Sequence, residues 1–355
     1  MKSILFVAHD PGGFNPLIPV INSISRDDFD AAYVLLAGSA RNRSEVIKNK
    51  FVKRITLSEK SIDGFPNEFD VEENDLYNCL NQINPSIVLT GTSINSNIER
   101  FCFKWCRENN IVCTALIDSW TGKDIRFISE QVESFPSHLL VADLQMKNIF
   151  EDTLRPYQII LTGNPYLEWF KKSLTPPRYY EGNRIVFFCE NILHYTPNNP
   201  INEFNIIQDI ISNYSGDQDI LISIRPHPME RQDKWVEFIE KHDLINSKIS
   251  LELDNFKSLV ETISESVFVI GISTTALIES SIFGKKSFSY QVNFPENSEM
   301  LYLPFNEYGI QKVKNFETLN NVFSNLNSVN SFSFTEFPFN NSLEKVTKFI
   351  QEKIK

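Results

Sequence analysis

Two short segments of this chain carry residue types that could hold a phosphate and discharge a leaving group. The first is Arg225-Pro226-His227-Pro228, which closes the apolar run 220–224. Proline on both sides fixes φ and holds the histidine rigidly, and arginine is a strong partner for phosphate or carboxylate. The second is Gly271 with Ser273-Thr274-Thr275, which closes the apolar run 267–270 and opens a helix-like run containing Glu279. Gly271 permits a tight turn, and hydroxyls with backbone N–H groups at a helix start suit an anion. Glu279, one helical turn beyond Thr275, could accept ribose hydroxyls. His227 is therefore expected to meet a departing phosphate, with Arg225, Pro228, Gly271, Ser273, Thr274, Thr275 and Glu279 around it. The plainer readings are a strand-to-loop turn with an exposed histidine and an N-cap at Ser273 or Thr274. A cap that also faces a ligand satisfies both.

The N-terminal half offers a second set. His9-Asp10-Pro11-Gly12-Gly13 follows the apolar run 2–8 and precedes a periodic segment, 17–24. A glycine pair at a strand-to-helix turn lets the backbone approach a sugar or phosphate closely. It is not the GxGxxG fingerprint, and no acidic residue stands where a dinucleotide ribose would need one, so a dinucleotide site is not expected. Asp118-Ser119-Trp120 closes the run 111–117 and supplies a candidate general base beside an aromatic for sugar stacking, with Arg126 nearby. Gly163-Asn164-Pro165 ends the half. The expectation is a catalytic Asp118, with His9, Asp10, Gly12, Gly13, Trp120, Arg126 and Asn164 lining an acceptor or donor-sugar site. The plainer readings are turn structure for His9 and Asp10, a helix cap for Asp118 and a hinge turn for Asn164. His138, His194 and His242 lack a supporting cluster and read as structural or surface residues. No EF-hand loop, HExxH, P-loop or GxSxG is present, and no metal or cofactor is called for.

These residues need elements to position them. Strand-like runs at 2–8, 32–37, 86–90, 111–117, 138–142 and 159–162 alternate with helix-like segments at 17–24, 98–109 and 144–151. After the polar, proline-bearing stretch 176–183, read as a linker, strands are expected at 184–189, 220–224, 249–253, 267–270 and 286–290, with a helix over 202–213. The stretch 320–341 is the least regular, and 342–355 has amphipathic spacing. Alternating short strands and helices imply α/β domains built on parallel sheets covered on both faces. The expected organisation is an N-terminal domain 1–175, a C-terminal domain 183–341 and a terminal helix 342–355, the two doubly wound domains facing a central cleft. In such sheets ligands bind at the carboxyl ends of strands, where nearly every polar cluster above falls.

Composition agrees. The chain has 355 residues, 42% hydrophobic and 22% charged, long enough for two domains of roughly 150–200 residues. Its net charge of −11, with no basic block, argues against nucleic acid as a partner while leaving room for a local basic pocket. Five cysteines, Cys79, Cys102, Cys106, Cys113 and Cys189, are odd in number and sit mostly in apolar surroundings, which predicts buried free thiols. With no signal-peptide pattern, the expected location is cytoplasmic. No apolar run approaches the roughly 20 residues that cross a bilayer, and peripheral association with the inner membrane face stays open.

Taken together, HDPGG, DSW, TGNP, RPHP and GISTTALIES resemble motifs of GT-B fold sugar enzymes. The nearest resemblance is to bacterial sialyltransferase-like and polysaccharide-assembly enzymes, including capsule Kdo transferases and CDP-glycerol glycerophosphotransferases. UDP-N-acetylglucosamine 2-epimerases share that fold and a similar TGN segment. By this resemblance His227 corresponds to the HP histidine that meets the nucleotide phosphate, and Ser273-Thr274-Thr275 to the phosphate-binding hydroxyl pair. Asp118 lies in the region of the family's acidic-acidic-glycine motif, from which Asp118-Ser119-Trp120 departs. The resemblance implies a metal-independent glycosyltransferase moving a sugar, a CMP-linked nonulosonic acid or Kdo type by preference, from a nucleotide donor to a glycan, lipid-linked or protein-linked acceptor. The N-terminal half would hold the acceptor and base, and the C-terminal half the nucleotide. The alternatives are a nucleotide-sugar 2-epimerase, a CDP-glycerol-type phosphotransferase, and a non-catalytic nucleotide- or glycan-binding protein.

Overall fold

The computed structural model describes residues 2–62, 65–152, 155, 157–174, 182–195, 199, 201–227, 230–242, 248–256, 258–296, 298–324 and 337–354. Most of the expected linker, and Pro228 of the RPHP run, lie outside the described residues. The chain divides into two compact units, Met1–Lys172 with Pro338–Lys355, and Ser173–Phe337.

The first unit is built on strands β1 (Ser3–Ala8), β2 (Ala31–Leu36), β3 (Val52–Ile55), an antiparallel pair β4 (Glu59–Ile62) and β5 (Phe65–Val71), then β6 (Ile87–Thr90), β7 (Val112–Leu116), β8 (His138–Val141) and β9 (Gln158–Leu161). Seven of these form one parallel sheet in the order β3-β2-β1-β6-β7-β8-β9. Its central strands are apolar on both faces: Ile4, Leu5, Phe6 and Val7 are all fully buried. That two-sided burial is why they read as continuous runs rather than alternating ones. The second unit follows with β10 (Arg184–Phe188), β11 (Ile220–Arg225), β12 (Ile249–Leu253), β13 (Phe268–Gly271), β14 (Lys286–Tyr290) and β15 (Ile310–Val313). These pair in parallel in the order β12-β11-β10-β13-β14-β15. Ile185, Phe187, Ile222, Phe268 and Ile270 pack there against Ile206, Ile210, Trp235 and Phe323 from the covering helices. Both sheets thus run outward from their first strand in two directions. The order reverses between β1 and β6 in one and between β10 and β13 in the other, the doubly wound arrangement expected.

The terminal amphipathic segment forms the helix Ser342–Lys353, and it belongs to the first unit. Val346, Phe349 and Ile350 enter that unit's core. The Phe349 ring meets His138 edge-on at 5.1 Å. The Glu168 carboxylate accepts from the Leu343 N–H at 3.0 Å, satisfying one of the free donors of the helix start. Burial, with Lys353 adding to it, lowers the His138 pKa to about 4, so this histidine is a neutral packing residue. The five cysteines are free thiols, and four of them are buried.

Gly163 is the tight point of this arrangement. Its φ is +81°, and a Cβ there would stand 2.1 Å from Ser342 Oγ and 3.1 Å from the Phe339 Cα. Gly163→Ala combines a left-handed backbone with a steric conflict at the helix start. It should destabilise the first unit by roughly 1–3 kcal/mol, read as a lower urea midpoint at unchanged slope. An unchanged midpoint would show that the terminal helix is not seated against this turn.

Candidate active site

The polar residues of the first unit gather at the C-terminal strand ends beside the reversal point. Asp10 lies two residues past β1, and its carboxylate caps the short helix Pro11–Phe14, accepting from Gly13 N at 2.8 Å. Asp118 lies two residues past β7 and accepts from Arg126 Nη1 at 2.8 Å. Arg126, only 3% exposed, also donates from Nη1 to Thr92 Oγ1 and Thr92 O, and from Nε to Thr121 O at 3.0 Å. Thr92 Oγ1, just past β6, donates to the same Asp118 oxygen at 3.4 Å. Gly12 closes the cluster, because a Cβ there would meet Asp118 Oδ2 at 2.6 Å and the carboxylate would have to shift off its Arg126 contact. Asp10, Gly12, Gly13, Asp118 and Arg126 are therefore one cluster, with Thr92 as the shared partner that the sequence did not single out.

Burial, reinforced by the charge of Asp118, raises the Asp10 pKa above the ordinary carboxylate range. His9 points inward from the same turn. It is 2% exposed, its N–H donates to Glu99 Oε1 at 3.1 Å, and its Nδ1 lies 3.5 Å from Ser93 Oγ. Trp120 is buried as well, with Nε1 donating to both Asp143 oxygens at 3.1 and 3.0 Å, so its ring packs inside the unit and offers no open stacking face. Asn164 sits past β9, where its Oδ1 accepts from Tyr166 N at 2.9 Å and Leu167 N at 3.3 Å. It caps the helix Pro165–Ser173, a role distinct from the ligand contact and the hinge turn that the sequence offered.

In the second unit β10 lies between β11 and β13, so the RPHP and Ser-Thr segments are separated by the end of β10. That end carries Glu190, and its carboxylate fills the turn before the helix Thr275–Ile282. Oε1 accepts from Ile272 N at 3.0 Å, Ser273 N at 2.6 Å and Thr274 N at 2.9 Å. Oε2 accepts from Ser273 Oγ at 2.8 Å. Three consecutive N–H groups on one oxygen form an anion nest, and the chain has placed its own anion in it. Burial raises the Glu190 pKa to about 7, against the lowering effect of the Ser273 N–H and hydroxyl, with Glu203 adding repulsion. Thr274 is the N-cap, its hydroxyl accepting from Ala276 N at 3.3 Å, and Thr275 is exposed. Gly271 ends β13, and Glu279 is buried at 6% exposure on the same helix.

Arg225 is committed sideways. Its Nη1 donates to Asp254 Oδ2 at 2.6 Å, Thr262 Oγ1 at 2.7 Å and Phe256 O at 3.1 Å. Asp254, whose side chain is fully buried, is also held by Arg184 at 3.2 Å. Arg225 therefore braces β11 against β12. His227 is half-buried, and its N–H donates to Glu230 Oε2 at 2.8 Å.

Solved structures match this architecture over nearly the whole chain. They include a putative UDP-N-acetylglucosamine 2-epimerase from Listeria monocytogenes (TM-score 0.64, 12% identity, 99% of this chain and 96% of that one). The UDP-GlcNAc 2-epimerase of Neisseria meningitidis matches with a TM-score of 0.63 at 13% identity over 99% of this chain and 100% of that one. Acinetobacter baumannii MurG matches with a TM-score of 0.54 at 12% identity over the same shares. The fold is GT-B. Identity this low speaks for the fold alone. No family model matches the chain, and no curated protein matches it in sequence.

On this GT-B frame the sequence reading missed Thr92, Glu99, Glu190 and Asp254. Glu190 had a signal, since it stands two residues past the first strand of its half, as Asp10 does in the other. Glu99 had none, because a glutamate early in a helix reads as surface charge. It is in fact 2% exposed, with Oε2 buried and, among the described residues, lacking a hydrogen-bond partner. Burial, then the charge of Asp10, pushes its pKa up to about 8. Because that value exceeds the unfolded one near 4.5, the folded state loses stability as pH rises through this window. Glu99→Gln, isosteric with the neutral acid, should escape that loss. Thermal unfolding should show the variant gaining on wild type between pH 5 and 8.5, on the order of 2–4 kcal/mol. A pH-independent difference would mean Glu99 is ionised throughout.

Proposed function

We propose that this chain transfers a sugar from a nucleotide donor to an acceptor hydroxyl. The observation that carries the reading is the Asp10–Asp118 pair, in which the Asp118 charge is fixed by Arg126 and Thr92 while Asp10 has raised proton affinity. A general base works best with a pKa drawn toward the operating pH. Asp10 is therefore the proposed proton acceptor, and Asp118 the fixed charge that tunes it, in place of the base role that sequence alone gave Asp118. In the step, the acceptor oxygen bonds to the anomeric carbon and its proton passes to Asp10. The bond from that carbon to the phosphate oxygen breaks, and the nucleotide leaves with the electron pair. The leaving phosphate is proposed to take the Ile272–Thr274 N–H nest in exchange for the Glu190 carboxylate, with His227 near the same strand ends. Preorganised donors of this kind contribute several kcal/mol to transition-state stabilisation.

The sequence motifs favour a CMP-linked donor. The similar structures include Staphylococcus aureus MnaA with UDP, the Neisseria epimerase with UDP-GlcNAc and a Siraitia grosvenorii ugt transferase with UDP. They support a UDP-sugar as the first candidate, with the CMP-sugar as the competing one. A second reading, a nucleotide-sugar 2-epimerase, gains from the three carboxyl groups, Asp10, Glu99 and Asp118, around one turn, since epimerisation needs several acid–base groups. Incubation with UDP-N-acetylglucosamine and no acceptor separates the two: a 2-epimer product supports the epimerase, and an unchanged sugar the transferase.

Thermal shift with UDP, UMP, CMP, CDP and GDP tests nucleotide binding directly, because a ligand at 100 times its Kd stabilises by about 2.7 kcal/mol. With the donor so identified, Asp10→Asn should lower turnover by roughly 10²–10⁴-fold while leaving nucleotide affinity intact. Asp118→Asn should move the acid limb of the kcat/KM profile to lower pH, since it removes the charge that raises Asp10. Near-wild-type turnover in Asp10→Asn would remove Asp10 as the base.

Glu190 supplies an independent check. If its carboxylate competes for the nest, wild-type nucleotide affinity should fall as pH rises through about 7. Glu190→Gln should then bind about tenfold more tightly at pH 8, a gain of about 1.4 kcal/mol, with a flatter pH profile. Equal affinity and equal slope would place the phosphate elsewhere.

A further inference from the structure

The chain is acidic overall, yet positions 41–54 hold six basic residues, Arg41, Arg43, Lys48, Lys50, Lys53 and Arg54, against the single acid Glu45. No more than two are adjacent, so the stretch does not read as a basic block in sequence. The fold strings them along the sheet edge after β2: Arg41 is ion-paired with Glu59 at 2.9 Å, and in β3 Lys53, opposite Tyr33, and Arg54, opposite Val34, turn to opposite faces. The 3₁₀ segment Gly38–Val46 starts against the active-site turn: Ala40 N donates to His9 O at 2.9 Å, and a Cβ on Gly38 would strike the His9 ring. Arg43 reaches Asn15 just past the Pro11–Phe14 helix. Beyond this bolted segment Lys48, Lys50, Lys53 and Arg54 are all exposed, and among the described residues none has an ion-pair partner. Beside them lies a cavity of about 320 Å³ lined by Arg41, Arg54, Ser44 and Thr56 over Val34 and Leu36.

Edge protection explains part of this. β3 is the outer strand of its sheet, and exposed lysines blunt such edges. It does not explain Lys48 and Lys50, which precede the strand. We infer that this sheet edge seats an anionic glycan, a polymer with repeating carboxylates, and that it is the acceptor-binding surface of the transfer reaction proposed above, on which the inference rests. The cations are strung along the segment rather than converged on one point, which matches a repeating charge. The net charge of −11 repels a polyanion elsewhere and steers it here. None of the large exposed apolar side chains falls within 38–56, so the face lacks the apolar wedge that a bilayer surface would require.

The test is binding of the full chain to polygalacturonate, without donor or turnover. Dextran, phosphatidylglycerol vesicles and a single-stranded oligonucleotide serve as comparison arms. Polygalacturonate should bind, weaken at least tenfold between 50 and 300 mM salt, and weaken at least tenfold in Lys48→Gln/Lys50→Gln/Lys53→Gln/Arg54→Gln. The pair Lys48→Gln/Lys50→Gln, outside any strand, should show at least a threefold loss with unchanged thermal stability, which keeps the test open if the fourfold variant misfolds. Equal binding to dextran, tighter binding to vesicles or oligonucleotide, or variants that bind like wild type would overturn the inference. Nucleotide binding without glycan binding would overturn it and spare the transfer reading. Glycan binding without any nucleotide binding would instead remove the transfer reading and leave only a glycan-binding face.

Discussion

The buried guanidinium of Arg126 is the interaction on which the first unit's site depends. Three strand ends, after β1, β6 and β7, meet at one edge of the sheet, and two of them bring carboxylates. Without a cation those carboxylates would repel each other in a poorly solvated place. Arg126 fixes one of them, Asp118, and binds the Thr92 hydroxyl and carbonyl with the same nitrogen. A buried cation with one acidic partner and several carbonyl partners is strongly held in place, because removing any partner leaves charge unsatisfied. The rest follows from that anchoring. Gly12, lacking a Cβ, leaves room for the held Asp118 carboxylate, and Asp118 adds its charge to the burial that raises the proton affinity of Asp10.

The second unit solves a similar problem with different means. Arg225, expected to await a phosphate, instead neutralises Asp254 together with Arg184. The nest at Ile272–Thr274, expected to be open, holds Glu190. Both expected anion-binding devices already carry a carboxylate of the chain. A cation or a row of N–H groups facing a low-dielectric strand edge is costly to leave unpaired, so the fold supplies an internal counterpart. The sequence reading expected a phosphate at these positions, and in the structure each holds a carboxylate of the chain. What the sequence did not contain locally is the identity of the anion, since Asp254 and Glu190 come from other strands.

The same distinction runs through the fold. The buried strands, such as 184–188 and 267–271, were legible because two-sided burial demands an unbroken apolar run. Two of the four outer strands, Val52–Ile55 and Ile310–Val313, were not, because each is four residues long with two adjacent exposed polar residues in its middle, whereas the outer strands Gln158–Leu161 and Ile249–Leu253 keep enough apolar residues to show. The helix Ser342–Lys353 was legible as amphipathic, but its partner was not: an apolar stripe announces that something covers it and does not name the surface. Glu99 marks the limit at the site. Its burial comes from the packing of the helix Ile98–Glu108 under the His9 turn, a tertiary fact with no trace in spacing.

Asp10 and Glu190 make the strongest case that the site is written in environment rather than residue type. Each stands two residues past the first strand of a doubly wound sheet, each beside the point where strand order reverses. Each also has its pKa raised first by burial. What faces them differs. Asp10 meets one backbone N–H and a second carboxylate, so part of its proton affinity comes from repulsion and a proton is the partner that relieves it. Glu190 meets three N–H groups and a hydroxyl, so another anion can relieve it by taking its place. One architectural position thus places a carboxylate against a second carboxylate in one unit and against a row of N–H groups in the other. The difference lies in the neighbouring turn: the glycines at 12 and 13 bring Asp118 close in the first, and the turn at 272–274 aims its N–H groups inward in the second.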